Sequence, residues 1–273
     1  MYSFLVTHDN CKGLIVPEFP HKKYKTRAWF WRLIQVSLVF DEAGFRSYLQ
    51  SQKKPANTTA QFLRLVGEFF DYLRKHRQES VENQHAEDLH AFFAWLDQKH
   101  RRPRVNRYFY ALKSYYDFLS ETHLYYAANE ILGIISLEAL NLKDFANVDP
   151  TVAKILAAHA IRTAAQLLAI TRTPTDRAKL ATATKIPEAT ILELVKLSNL
   201  ARIPGLKQKR ARLFYDAGFD TLNKIAAYHD PDALVAFFTT FVERTGFDGR
   251  AVSPAEAQFT LGMAYYLKPI TQF

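Results

Sequence analysis

The chain has 273 residues, 48% apolar and 23% charged, which is the composition of a globular protein with room for two cores. Its 36 Lys and Arg against 27 Asp and Glu leave a formal charge of +9, so acidic partners are the first class to consider. A single cysteine excludes an internal disulfide and any zinc site built on several thiolates, and isolated glycines exclude the crowded signatures of dinucleotide and P-loop folds. No signal-peptide pattern opens the sequence, and no stretch approaches the roughly 18 apolar residues that span a bilayer. The expectation is a cytoplasmic protein without membrane association or cofactor.

The charge is uneven. Residues 1–120 hold 19 basic and 12 acidic side chains, whereas residues 121–273 hold 17 and 15. Of the 38 aromatics, 25 fall within residues 1–126, including all three tryptophans. Two regions with different chemistry follow from these counts.

In chain order, residues 1–25 mix short apolar runs with Gly and Pro and predict one or two short strands. Residues 27–40 (RAWFWRLIQVSLVF) read as a buried helix or a strand pair. Asp41 then caps a helix carrying Phe45, Tyr48 and Leu49. Helical period returns at Phe62, Leu65, Val66, Phe69, Phe70 and Leu73, with Asn57 or Thr58 as cap. A further helix places Leu89, Phe92, Phe93 and Leu96 on one face, and Pro103 opens another carrying Val105 to Leu119. Residues 122–142 predict a last bundle helix and a connector. The boundaries expected are an extension at 1–40, a helical bundle at 41–140 and a second domain at 141–273.

The second region repeats weakly. The segment from Phe145 returns 58 residues later from Ile203, pairing Val148 with Leu206, Ala153 with Ala211 and Leu156 with Phe214. Ile161 then meets Phe219, Thr163 meets Thr221, Leu167 meets Ile225, and Asn147 meets Gly205. Further helices are predicted from Pro174 to Thr184, Pro187 to Asn199, Pro231 to about Arg244, and Pro254 to about Leu267.

Residues 202–212 (RIPGLKQKRAR) join two of these helices through a Pro-Gly turn and carry Arg202, Lys207, Lys209, Arg210 and Arg212 with no acid among them. The turn resembles the helix-hairpin-helix motif, apolar-x-Gly-apolar-Gly-x-x-x-Ala, with Gly205 and Ala211 in place and Lys207 where the second glycine stands. Backbone N–H groups at such a helix start suit phosphate. The stretches TPTDRAKLATATKI, ILELVKLSNLARIPGL and ARLFYDAGFDTLNKIA resemble an uncharacterised family with helix-hairpin-helix repeats, from which no activity transfers. The first copy, Asn147-Val-Asp-Pro, carries Asp149 and reads as scaffold.

The stretches FRSYLQSQ, TTAQFLRLVGEFFDYLRKH, EDLHAFFAWLDQ and VNRYFYALKSYYDFLSET resemble the SAM-like core-binding domain of tyrosine recombinases and phage integrases. That resemblance implies a four-helix domain that grips DNA while another domain cuts it. Lys99, Arg101, Arg102, Arg104 and Arg107 form the densest basic patch of this region.

The recombinase catalyst is missing. The string His159-Ala-Ile-Arg162 has the His-x-x-Arg spacing, but it lies in the turn of the first copy and is not repeated in the second. No metal-binding His-Glu-x-x-His, activated cysteine or Gly-x-Ser-x-Gly is present. The expectation is an all-α, non-catalytic nucleic-acid binder, with duplex DNA as partner and contacts mainly to backbone. A protein-interaction scaffold, using the aromatic surface or the Phe237–Phe241 helix, is the rival, and a DNA-processing enzyme a distant third.

Overall fold

The computed structural model describes residues 40–77, 84–99 and 102–273, with side chains from residue 105 onward in the last segment. The strands expected near the N-terminus, and residues 27–39, lie outside the described residues. Among those described the architecture is all-helical, with one isolated antiparallel bridge between Asn141 and Thr163.

Five helices build the first core: α1 (Glu42–Ser51), α2 (Ala56–His76), α3 (Ala86–Gln98), α4 (Arg102–Leu119) and α5 (Thr122–Ala139). Asp41 caps α1 as expected, accepting from the Gly44 N–H at 2.8 Å. At α2 the cap differs. Pro55 occupies the N-cap and the helix starts at Ala56, ahead of Asn57 and Thr58, because proline's fixed φ is already compatible with helix entry.

The interior is aromatic. Phe45 and Phe70 meet Tyr115 edge-on at 5.2 and 5.7 Å, and Phe92 bridges Phe69 and Tyr108 at 5.0 and 5.5 Å. The fully buried Tyr116 hydroxyl donates to Gln84 at 2.5 Å. Burial pushes the Tyr116 phenol well above its ordinary value and that of Tyr115 to about 12. These rings act as neutral core residues.

Helix α5 belongs to two cores. Leu124 to Leu132 close the aromatic core, while Leu137 enters a second core that runs on to Leu267. The second core is built by α6 (Pro150–Ala158), α7 (Ala164–Ile170), α8 (Pro174–Thr184), α9 (Glu188–Leu200), α10 (Gln208–Asp216), α11 (Leu222–Ala226), α12 (Pro231–Thr245) and α13 (Pro254–Tyr266). Proline stands at the start of α6, α8, α12 and α13, where its missing N–H costs nothing. Tyr266 of α13 packs against both cores.

The 58-residue register extends to the backbone. The bounds of α6 and α10 differ by 58 at each end. Asn147 and Gly205 both have positive φ (61° and 100°), as do Ala160 and Gly218 (61° and 90°). Ile161 N–H donates to Leu156 and Phe219 N–H to Phe214, both at 2.9 Å. Thr163 caps α7 and Thr221 caps α11.

Two buried arginines hold the chain beyond α13. Arg177 donates to the carbonyl of Gln272 at 2.9 Å, and Arg202 to that of Lys268 at 3.0 Å. The second core and α5 meet at Gly133, where any added methyl would collide with the Arg202 carbonyl oxygen. Gly133→Ala should therefore lower stability by about 1–3 kcal/mol, against the usual helical gain from alanine. Gly67→Ala in α2 is the control, because a methyl there meets only the Phe40 ring at 3.9 Å. Urea unfolding should show opposite signs for the two; a stabilised Gly133 variant would refute the close packing.

Candidate nucleic-acid interface

The α9–α10 connection is a compact turn with its apolar side chains inward. Ile203 and Leu206 are buried, and the Leu206 N–H donates to the Ile203 carbonyl at 3.0 Å. Gly205 sits exposed at the apex with φ 100°, and nothing lies within 4 Å of where a Cβ would stand. Its glycine is required by backbone conformation, not by space. Lys207 adopts extended angles (φ −109°, ψ 165°), so the missing second glycine imposes no strain at that residue. The next residue, Gln208, has φ 34°.

Lys207 is the N-cap of α10 and provides no side-chain cap. In the earlier copy the matching residue, Asp149, accepts from the Thr151 N–H at 2.8 Å. Lysine is a poor N-cap because it has no acceptor for the free N–H groups of the first turn. The start of α10 therefore combines a first turn without a side-chain cap with an exposed ammonium.

The structure corrects the placement of the five cations expected around this turn. Arg202 and Arg212 are 7% and 4% exposed. Arg202 donates to Asn199 and the Lys268 carbonyl; burial lowers its pKa, against the pull of Glu130. Arg212 binds Glu193 at 2.6 Å and the Ala146 carbonyl at 2.9 Å, so it ties α10 to α9 and to the turn before α6. Arg210 reaches Glu256 of α13 and the Arg250 carbonyl. These three side chains are committed inside the fold. Lys207 and Lys209 stay exposed, and Lys209 is paired with the exposed Asp248 at 2.5 Å.

The hydrogen bond to its carbonyl also brings Arg250 beside the hairpin, with its side chain 79% exposed. Residue 250 is 40 positions from residue 210, and no local charge run signals this neighbour in sequence.

In the first region, Lys99 ends α3 and Arg107 lies on α4, both exposed. Arg101 lies outside the described residues; Arg102 and Arg104 are in the first turn of α4, with side chains outside the description. Helices α4 and α5 are joined by residues 120 and 121 alone and pack along their lengths. The 202–204 turn rests on Gly133 of α5.

Of the two surfaces the protein-interaction reading would use, the first core exposes Tyr110 (47%), whereas α12 is mostly internal. Phe238 and Phe241 of α12 are 0% and 9% exposed, and only Phe237 is partly open at 38%. His159 and Arg162 flank the α6–α7 turn, where the Arg162 N–H is taken by Gln166. Among the described residues no cluster of three or more His, Cys, Asp or Glu could hold a metal, and no helix is long and apolar enough to cross a membrane.

Beyond α10 the chain is anchored by Asp220, which binds Lys196 and Lys224, each at 2.6 Å. Burial pushes this carboxyl up, but hydrogen bonds and charge from the two lysines prevail and hold it below its ordinary value. Its contribution is present above the unfolded carboxylate pKa of about 3.9 and lost as pH falls through the lower folded value. The stability difference between wild type and Asp220→Asn should be largest at neutral pH and shrink below about pH 4; a difference independent of pH would exclude this linkage. Arg212→Ala should cost about 1–3 kcal/mol in urea unfolding, and Lys207→Ala less than about 0.5 kcal/mol. Equal losses would mean that Lys207, too, has a structural task.

Two family models match the chain. Residues 43–123 match the N-terminal SAM-like domain of phage integrases, and residues 147–260 match a domain of unknown function, DUF4332. No curated protein and no solved structure matches it. The N-terminal region is thus similar to an integrase core-binding domain, and the C-terminal region to a family without an assigned role.

Proposed function

We propose that this chain binds nucleic acid without catalysing a reaction, with duplex DNA as ligand and the phosphate backbone as the main point of contact. The carrying observation is the start of α10, where an exposed lysine stands at the N-cap and makes no side-chain cap to the first turn. Lys209 and Arg250 flank it. The similarity of residues 43–123 to an integrase SAM-like domain supports a nucleic-acid association for the other region.

In this reading the chain divides near residue 140, and the second domain is a duplicated helix-hairpin-helix. The matched bounds and positive-φ residues of the two copies support that reading. One copy is self-capped scaffold and the other faces the ligand. Lys99, Arg107 and the neighbouring Arg101, Arg102 and Arg104 supply a second weak binding point. Two weak binding points on one chain reinforce each other when their spacing suits the duplex.

Anisotropy of a labelled duplex across a salt series tests the proposal. Affinity should fall steeply with salt, and Lys207→Ala with Lys209→Ala should flatten the log–log slope by about 0.9 for each phosphate that is no longer neutralised. Arg107→Ala should weaken binding without changing stability by more than about 0.5 kcal/mol. Absence of binding at low salt, or a double variant that binds like wild type, would overturn it.

A further inference from the structure

The loop between α12 and α13 places a carboxylate on the hairpin's cation. We propose that Asp248 stands where a backbone phosphate would, making this loop an intramolecular competitor that sets the hairpin's affinity for nucleic acid. This rests on the binding reading above and adds to it a residue that opposes binding.

The position of Asp248 is fixed by the loop itself. Gly246 ends α12 at φ 63°, and the half-buried Phe247 packs against the second core. The Gly249 N–H turns back to the Phe247 carbonyl at 2.8 Å, and a Cβ on Gly249 would press on the Phe247 ring at 3.0 Å. From the hairpin side, Arg210 grips the same loop. Its Nη1 donates to the Arg250 carbonyl at 2.7 Å and its Nε to Glu256 Oε1 at 2.8 Å. The residue before Arg210 is Lys209, so the clamp itself brings Asp248 and Lys209 together.

Folding gains little from this ion pair. The Lys209 and Asp248 side chains are 61% and 93% exposed, and solvent-exposed pairs of this kind contribute almost nothing to stability. The pair does occupy the Lys209 ammonium, a compact charge that takes carboxylate or phosphate oxygen alike. A polyanion must displace Asp248 to use that charge. Lys207, two residues earlier, has no acidic partner among the described residues, so the loop attenuates the hairpin and does not close it.

The test is duplex binding over a salt series with the full chain, comparing wild type, Asp248→Asn, Lys209→Ala, the double variant, and Asp232→Asn as a charge-matched control on the exposed start of α12. Asp248→Asn should bind about two- to five-fold tighter than wild type, by more than the control, with a slope steeper by about 0.9. On the Lys209→Ala background the same change should gain no more than the control does. A wild type that binds, with Asp248→Asn no tighter than Asp232→Asn, would overturn the competitor role and leave the binding reading standing. An Asp248→Asn gain that persists in full without Lys209 would overturn it as well. If neither wild type nor Asp248→Asn binds at low salt, the binding reading fails and this proposal with it.

Discussion

The close approach at Gly133 is the constraint on which the rest of the structure depends. A helix shared by two cores must present side chains to both and still leave a place where another backbone can touch it. Helix α5 does this with a glycine, against which the Arg202 carbonyl packs. That approach seats the hairpin turn, and Arg202 itself then turns inward to Asn199 and Lys268. A larger residue at position 133 would displace the turn and, with it, the buried guanidinium. Packing density leaves little room for such a shift to be absorbed locally.

Much of the fold was readable in the chain because local rules decided it. Proline at the first position set the starts of α8, α12 and α13, and the Asp41 cap marked that of α1. The 58-residue correspondence was readable because buried apolar residues and positive-φ positions coincide at that offset while the surface residues differ. At α2 two local signals competed, and Pro55 prevailed over the hydroxyl and amide caps that follow it.

The candidate site was only half readable, for a physical reason. Arg202, Lys207, Lys209, Arg210 and Arg212 look alike as a run of positive charge. Their fates differ because their partners come from far along the chain: Lys268 and Ala146 are 66 residues from Arg202 and Arg212, and Glu256 is 46 from Arg210. Helical period tells which side of α10 is buried, but not that acids and carbonyls wait there to receive guanidinium groups. Arginine tolerates that burial because its planar fork can satisfy several acceptors at once. The two lysines, point charges on flexible stems, stay with the solvent.

The two arginines that hold residues 268–272 differ in kind from the Asp220 network. Arg177 and Arg202 donate to carbonyl oxygens and an amide, groups that carry no titrating proton. Acid has no site at which to undo these clasps directly, whereas the lysines around Asp220 lose their counter-charge when it is protonated. The second core consequently has an acid-sensitive edge where α9 meets the start of α11, and another that acid leaves tied. Acidification below about pH 4 should loosen the acid-sensitive edge beyond α10 before the stretch after α13 comes away.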